Sequence, residues 1–180
     1  PSNVIEIKKG CFSNAYKLTN IKVSPKNKHF IFFDDKMIIG KSSSESENYD
    51  VLIFCVQNVE EITIPSFVKI IGASAFYKNE SIRKVEFLND SQLQIIECNA
   101  FAESSIETIT FPPHLIQIDA YAFHSCEMLL SVKILENSEL KIIGREAFSC
   151  SSIESIVIPP HLEIIKDGAF SYCENLKNVE

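Results

Sequence analysis

Apolar residues recur along the chain at fixed distances from the dipeptide Ala-Phe. The spacing between successive copies alternates between 25 and 22 residues, and the five phenylalanines are Phe76, Phe101, Phe123, Phe148 and Phe170. Cys11-Phe12 is a sixth, degenerate copy. An isoleucine stands five positions before each phenylalanine, at Ile7, Ile71, Ile96, Ile118, Ile143 and Ile165. Such a period predicts a solenoid, because one unit cannot bury its own apolar face and neighbouring units must stack.

Each regular unit also contains two apolar residues separated by one position. The pairs are Ile21/Val23, Val85/Phe87, Ile109/Phe111, Val132/Ile134 and Ile156/Ile158. A period of two predicts a short strand with both side chains inward. The segment around Ala-Phe is predicted to form a turn or short helix, with its phenylalanine rings stacked along the axis. The predicted fold is a solenoid of 22- and 25-residue units, with a parallel β-sheet on the concave face and turns or short helices opposite.

Residues 1–180 are predicted to form one domain, with an insertion after the first unit. In the insertion, at about residues 24–58, two apolar runs flank Asp34-Asp35-Lys36 and predict a β-hairpin, and residues 51–55 predict a third strand. Residues 41–50 are polar and predict a mobile loop. The insertion either has a function of its own or completes the neighbouring sheet, and the sequence leaves both open. The predicted units cover about residues 4–23, 59–92, 93–114, 115–139, 140–161 and 162–180.

These columns resemble a known family of repeats. The pattern L-x-x-I-x-x-x-A-F-x-x-C-x-x-L-x-x-I-x-I-P fits LEIIKDGAFSYCENLKNV, residues 162–179. It is similar to the BspA-like, or type 5, leucine-rich repeats, over residues 1–23 and 59–180. The resemblance implies a leucine-rich-repeat solenoid in a cell-surface or extracellular protein that adheres to host matrix or other cells. The chain departs from the family pattern at Asn79, which stands in the cysteine column.

The charge balance disfavours two classes of partner. With 17 basic and 24 acidic residues, the formal net charge is −7, which argues against nucleic acid and anionic membranes. No stretch has the layout of a signal peptide or targeting segment. The chain begins with Pro1, and its last unit stops at Val179-Glu180 without a polar cap. We therefore expect a piece of a longer protein whose exposed end tends to self-associate.

The cysteines follow the repeat. Cys126 and Cys173 stand three positions after their phenylalanine and Cys150 stands two after, which favours buried packing positions. Disulfides Cys126–Cys150 or Cys150–Cys173 stay open, because neighbouring units are about 4.8 Å apart. No C-x-x-C pair is present, which argues against a zinc site.

The remaining motifs give no sign of catalysis. The serines lack a G-x-S-x-G context, and no carboxylate pair stands out. The sequence therefore predicts a chain that is not an enzyme and that takes no metal and no cofactor. Glycosylation sequons begin at Asn79 and Asn89, and only Asn89 is expected in an exposed loop.

Polar residues beside the inward pairs are predicted to form two rows on the concave face. Such an extended surface is the usual recognition site of a solenoid. The rows contain neither aromatic nor arginine side chains, which predicts weak multivalent contact or binding elsewhere, such as at the insertion. The candidate binding residues are Lys22, Thr63, Lys84, Glu86, Thr108, Thr110, Ser131, Lys133, Ser155 and Val157.

Two functions are compatible with this pattern. The first is a protein-binding scaffold at the cell surface, with a host or cell-surface protein as ligand. The second is an intracellular interaction scaffold whose buried cysteines are free thiols. The number of free thiols in the native protein distinguishes the two, because thiols at a cell surface are usually oxidised.

Overall fold

The computed structural model describes residues 1–43 and 45–180, which form a β-solenoid of about six turns. Ser44, in the loop predicted to be mobile, lies outside the described residues. Within the described residues the chain forms fourteen strands and no helix. The predicted solenoid with a parallel sheet is confirmed. The strands are β1 (Phe30–Phe33), β2 (Met37–Gly40), β3 (Val51–Cys55), β4 (Glu61–Ile64), β5 (Ile70–Ile71), β6 (Lys84–Phe87), β7 (Ile95–Ile96), β8 (Thr108–Thr110), β9 (Gln117–Ile118), β10 (Ser131–Lys133), β11 (Ile142–Ile143), β12 (Ser155–Ile156), β13 (Ile164–Ile165) and β14 (Asn178–Val179).

Each regular unit contributes strands to two different sides of the solenoid. The alternating apolar pairs lie in β4, β6, β8 and β10, which form a four-stranded parallel sheet, and in β12, which pairs with β14. The isoleucine column lies in the two-residue strands β5, β7, β9, β11 and β13, the parallel part of an eight-stranded sheet. The pattern predicts the first sheet but not the second, because two residues are too few to show a period of two.

The core is a continuous cluster made from the repeat columns. The rings of Phe76, Phe101, Phe123, Phe148 and Phe170 stack along it. Neighbouring ring centroids lie 4.6 to 5.6 Å apart, with interplanar angles of 4° to 9°. The predicted phenylalanine stack is therefore present from Phe76 onward, and each interior ring packs between two others.

The Ala-Phe segment forms a turn rather than a short helix because it contains two left-handed residues. They lie two positions before and two positions after the phenylalanine, as at Glu146 (φ 50°) and Cys150 (φ 57°) around Phe148. A right-handed helix requires negative φ at every position. The turns instead pair with one another, since the Phe148 amide donates to the Ala169 carbonyl at 2.8 Å.

The insertion extends the eight-stranded sheet. Strands β1, β2 and β3 form an antiparallel meander, and β3 then pairs in parallel with β5. The hairpin turn has left-handed φ at Asp34 and Asp35, which suits the twist of the flanking strands. Of the two interpretations of the insertion, completion of the neighbouring sheet is therefore what the structure shows, and a binding role is left as a hypothesis.

The first unit packs on the outer side of the meander. Phe30, Ile38, Phe54 and Val56 form a second apolar cluster, which the first unit covers. Phe12 leaves the phenylalanine stack and packs against Phe54, with ring centroids 5.0 Å apart and an interplanar angle of 46°. The residues of the first unit that pack on this cluster are Val4, Ile7, Phe12, Leu18, Ile21 and Val23.

Candidate binding surface

The strand register aligns the exposed positions of the four-stranded sheet into two rows. In the first row, Glu61 pairs with Lys84, Lys84 with Thr108, and Thr108 with Ser131. In the second row, Thr63 pairs with Glu86, and Thr110 pairs with Lys133. Ile62, Val85, Ile109 and Val132 alternate with these residues and are buried. The rows are thus a geometric consequence of parallel pairing without a register shift.

All ten predicted binding residues are exposed. Seven of them lie in the four-stranded sheet, Ser155 lies in β12, and Val157 directly follows β12. Lys22 lies outside any strand, in the first unit. The structure therefore brings the candidates of units two to five onto one surface, and it leaves Lys22 apart from the paired strands. Their role in binding stays a prediction.

Charges on the two rows are mixed in sign. The Lys84 ammonium lies 2.5 Å from a Glu86 carboxylate oxygen, two residues along the same strand and on the same face. This hydrogen bond, with the charge of Glu86, raises the pKa of Lys84. Both side chains are about half exposed, so water screens the pair and it adds little to folding stability. The pair is therefore available to exchange partners with a ligand.

The turn side carries aromatic residues that the sequence reasoning missed. The Lys78 ammonium lies 5.5 Å from the Tyr16 ring centroid and 5.4 Å from that of Tyr77. The same ammonium is 3.1 Å from Glu103, which accepts a 2.8 Å hydrogen bond from the Tyr77 hydroxyl. Partial burial and the hydrogen bond to Glu103 raise the pKa of Tyr77. Tyrosine at the position after the repeat phenylalanine was the available sequence signal.

The pKa of Glu103 in this cluster is lowered. Partial burial acts to raise it, but the hydrogen bonds from Tyr77 and Lys78 and the charge of Lys78 outweigh burial. The carboxylate is thus held ionised between a phenol and an ammonium, a satisfied surface cluster with no unused donor directed at a ligand.

All six cysteines are free thiols in the structure. The Cys126 thiol donates to the Phe101 carbonyl at 3.1 Å, and the Cys173 thiol donates to the Phe148 carbonyl at 3.1 Å. Each thiol thus binds the preceding unit, and neither Cys126–Cys150 nor Cys150–Cys173 is formed. Burial raises the pKa of Cys126 to about 12. These contacts support the packing interpretation of the cysteine column.

Asn79 occupies the same column as Cys126 and is fully buried. Its amide donates to the Val56 carbonyl at 3.1 Å, and its side-chain oxygen accepts from the amides of Ser81 and Ile82. The departure from the family pattern therefore fills the thiol's place with a satisfied polar group. Of the two sequons, the first is buried at its asparagine, whereas Asn89 is exposed.

The described residues were also compared with the requirements of metal and membrane sites. Residues 1–43 and 45–180 contain no group of three or more His, Cys, Asp or Glu side chains placed to hold a metal ion. No helix in this part of the chain has the length and apolar character needed to cross a membrane.

Stacked units with parallel strands, an isoleucine column and a phenylalanine stack define a leucine-rich-repeat solenoid. The sequence model of the BspA type leucine-rich repeat region matches residues 1–36 and 49–179, in six copies. The chain belongs to this family, and the family supplies a repeat scaffold. A comparison with curated proteins finds no match.

Three solved structures illustrate the similarity of fold. A leucine-rich repeat protein of Eubacterium ventriosum superposes with a TM-score of 0.85 at 22% identity, over 99% of this chain and 46% of its own. The Treponema protein described as T. pallidum leucine-rich repeat protein gives 0.67 at 23%, over 91% and 68%. The pneumococcal vaccine antigen PcpA gives 0.67 at 21%, over 91% and 42%. A Bacteroides ovatus leucine-rich repeat protein gives 0.54 at 26%, so that the chain covers 41% of it, and less than half of two of the other three.

Proposed function

We propose that this chain is a non-enzymatic protein-binding scaffold at the cell surface, where it adheres to host matrix or to other cells. Leucine-rich repeat proteins generally bind other proteins, and one structural neighbour is a pneumococcal vaccine antigen. The partner we propose is a protein, because the net charge of −7 disfavours polyanions.

The observation that carries this proposal is the pair of exposed rows on the four-stranded sheet. Parallel pairing gives neighbouring row members a spacing of about 4.8 Å. A partner that contacts one unit can therefore contact the next at a fixed distance. Small, weak contacts by threonine, serine and lysine then add up across units, in place of aromatic hot spots.

Binding to a panel of immobilised extracellular-matrix proteins tests this proposal. The double variant Thr108→Lys, Thr110→Lys adds bulk and charge at the centre of both rows, and we expect at least about tenfold weaker binding, as for lost interface contacts. The matched control is Gln92→Lys, Gln94→Lys, which changes two exposed residues of the same spacing outside that sheet. Equal binding by both double variants, or no binding by the unaltered chain, would count against the proposal.

The alternative is an intracellular interaction scaffold. The specific observation in its favour is that the thiols of Cys126 and Cys173 are hydrogen-bond donors within the repeat, a role that needs the reduced form. Titration of thiols in unfolded protein taken from the native host distinguishes the two. Six thiols favour the alternative, and paired cysteines favour the surface.

A further inference from the structure

A cleft of about 770 Å³ lies between the first unit and the outer face of the eight-stranded sheet. Residues 5–12 form one wall, and the floor is made by Phe30, Val51, Ile53 and Ile70. Lys41 and Ser42 stand at its edge. The volume is in the range of about 300–1,000 Å³ that small-molecule sites occupy. This cleft is on a different face from the two exposed rows and has no role in the proposed protein contact.

The floor of the cleft is apolar, and its backbone has no free hydrogen-bonding edge. Strand β3 pairs with β2 on one side and with β5 on the other, so the backbone under Val51 and Ile53 is already paired. A peptide laid on this floor would bring backbone polar groups that find no partners there, which is costly. An aliphatic chain brings no such groups and is the better fit.

Gly40 keeps room for the floor side chains. A Cβ at this position would lie 2.6 Å from Ile53 Cδ1 and 3.0 Å from two ring atoms of Phe30. The glycine thus lets both side chains lie back into the sheet rather than into the cleft. The apolar floor and its open volume depend on this one small residue.

Three lysines and two glutamates line the cleft. Lys9 lies 2.6 Å from Glu97, whose other oxygen accepts from the Ala73 amide at 2.9 Å. Hydrogen bonding to Glu97 raises the pKa of Lys9. Lys8 pairs with Glu6 at 2.5 Å. Both carboxylates are therefore neutralised within the cleft and do not repel an anion.

Lys41 supplies the remaining positive charge. Its ammonium lies 5.2 Å from the Tyr49 ring centroid, and among the described residues no carboxylate lies within 4.0 Å of it. The next residue is anchored, because the Ser42 amide and hydroxyl both donate to Asp50, at 2.7 and 2.8 Å. Lys41 therefore extends from a fixed point of the backbone beside the apolar floor.

We propose that this cleft binds an amphipathic anion, a straight-chain carboxylate whose aliphatic body lies on Val51, Ile53 and Ile70 and whose head group pairs with Lys41. The body removes apolar floor from water, and the head group gives Lys41 the carboxylate that it lacks. Charge and shape are thus matched at the two ends of one site within a chain that is acidic as a whole.

Displacement of dansyl-labelled undecanoate, followed by fluorescence below the micelle concentration, tests the site. Dodecanoate is expected to displace the probe from one saturable site, and dodecanol and dodecyltrimethylammonium are expected to displace it far less. Lys41→Glu should weaken dodecanoate binding at least about tenfold, as for loss of a charge-assisted hydrogen bond. The matched control Lys141→Glu, on an exposed residue of the same sheet far along the stack, should change binding less than about twofold.

A second variant addresses the body of the ligand. Ala73→Leu adds volume to the lining of the cleft and should abolish probe binding while the melting temperature and the circular dichroism spectrum stay unchanged. The proposal is overturned if the three amphiphiles bind equally, or if folded Lys41→Glu and Ala73→Leu retain full affinity. Displacement by an aliphatic peptide but not by dodecanoate would also overturn it, in favour of a peptide site.

Discussion

The repeat phenylalanine is the largest buried side chain of each regular unit, and its ring packs between the rings of its neighbours. Phe123 is fully buried, and its centroid lies 4.9 Å from that of Phe101 and 5.2 Å from that of Phe148. One residue thus joins three units. Its position in the middle of the stack makes it the most sensitive place for a single substitution.

Phe123→Ala should lower the free energy of unfolding by about 3–5 kcal/mol, because it leaves a cavity between two rings that the backbone pairing keeps apart. Urea denaturation monitored by circular dichroism measures the change. Phe67→Ala is the control, because Phe67 is 41% exposed, and it should cost about 1 kcal/mol or less. Similar losses for both variants would show that the stack is not the main source of stability.

Burial of the cysteine column gives the fold a dependence on alkaline pH. Since burial raises the pKa of Cys126 to about 12 from a model value of 9.0, the unfolded chain loses this thiol proton first as pH rises. The contribution is fully present below about pH 9 and is lost as pH rises toward 12, by about 1.4 kcal/mol per pH unit in that window.

Cys126→Ala removes this term and should make the stability loss between pH 8 and pH 10 smaller by about 1–2 kcal/mol. Urea denaturation at both pH values measures it. Cys11→Ala, at an exposed thiol, is the control and should leave the pH dependence unchanged. The same pH dependence in all three proteins would contradict the buried, protonated thiol.

At the scale of strands and turns, the close approach of neighbouring units depends on a single glycine in the fifth unit. Gly144 donates its amide to the Ile118 carbonyl at 2.7 Å, and a Cβ there would lie 2.4 Å from the Asp119 carbonyl carbon. Backbone atoms cannot move aside as a flexible side chain can. The strands β9 and β11 would have to separate locally to admit even a methyl group.

Gly144→Ala should therefore destabilise the chain by about 1–3 kcal/mol, the range for overpacking in a well-packed core. Thermal unfolding measures the change. Lys166→Ala, at the equivalent position of the last unit, is the control and should be neutral, because Lys166 is exposed. A neutral Gly144→Ala would show that adjacent units tolerate a wider separation.

The meander β1–β3 changes how the first unit joins the stack. A regular unit would place Ile7 in the eight-stranded sheet beside its neighbour, but β2 and β1 occupy that side of β3. The first unit instead covers the outer face of the meander, and Phe12 packs on Phe54. The cleft beneath residues 5–12 is a direct result of this displacement.

At the scale of the whole molecule, the two ends of the solenoid differ. One end is covered by the meander and the first unit, whereas the last strands expose apolar residues. Ile164 and Ile165 of β13 are 45% and 48% exposed, and Val179 of β14 is 58% exposed. Since β13 pairs only with β11 and β14 only with β12, their other edges can accept a further strand.

We expect this exposed end to make the chain self-associate. Multi-angle light scattering should give a mass that rises with concentration, and Ile165→Lys should restore the monomer, because charged edge residues oppose strand pairing. Ile5→Lys, at an exposed isoleucine of the first unit, should not. A strict monomer for the unaltered chain at high concentration would contradict the expectation.

Much of the fold was predictable because burial is periodic. The inward pairs of β6, β8 and β10, the isoleucine column and the phenylalanine stack all follow from counting positions, since identical positions in stacked units meet identical neighbours. The exposed rows follow from the same count. The unit boundaries stay predictions, as does any binding role of the rows.

The sequence by itself determined the repeat, the residues that face the core and the family of the fold. Only the tertiary structure decided that the isoleucines form a second sheet, that the meander extends this sheet, and that the first unit encloses a cleft. The physical reason is the range of the interactions. A repeat records which side chains are buried against neighbouring units, whereas the cleft results from contacts of residues 5–12 with Val51 and Ile70, which no local period encodes.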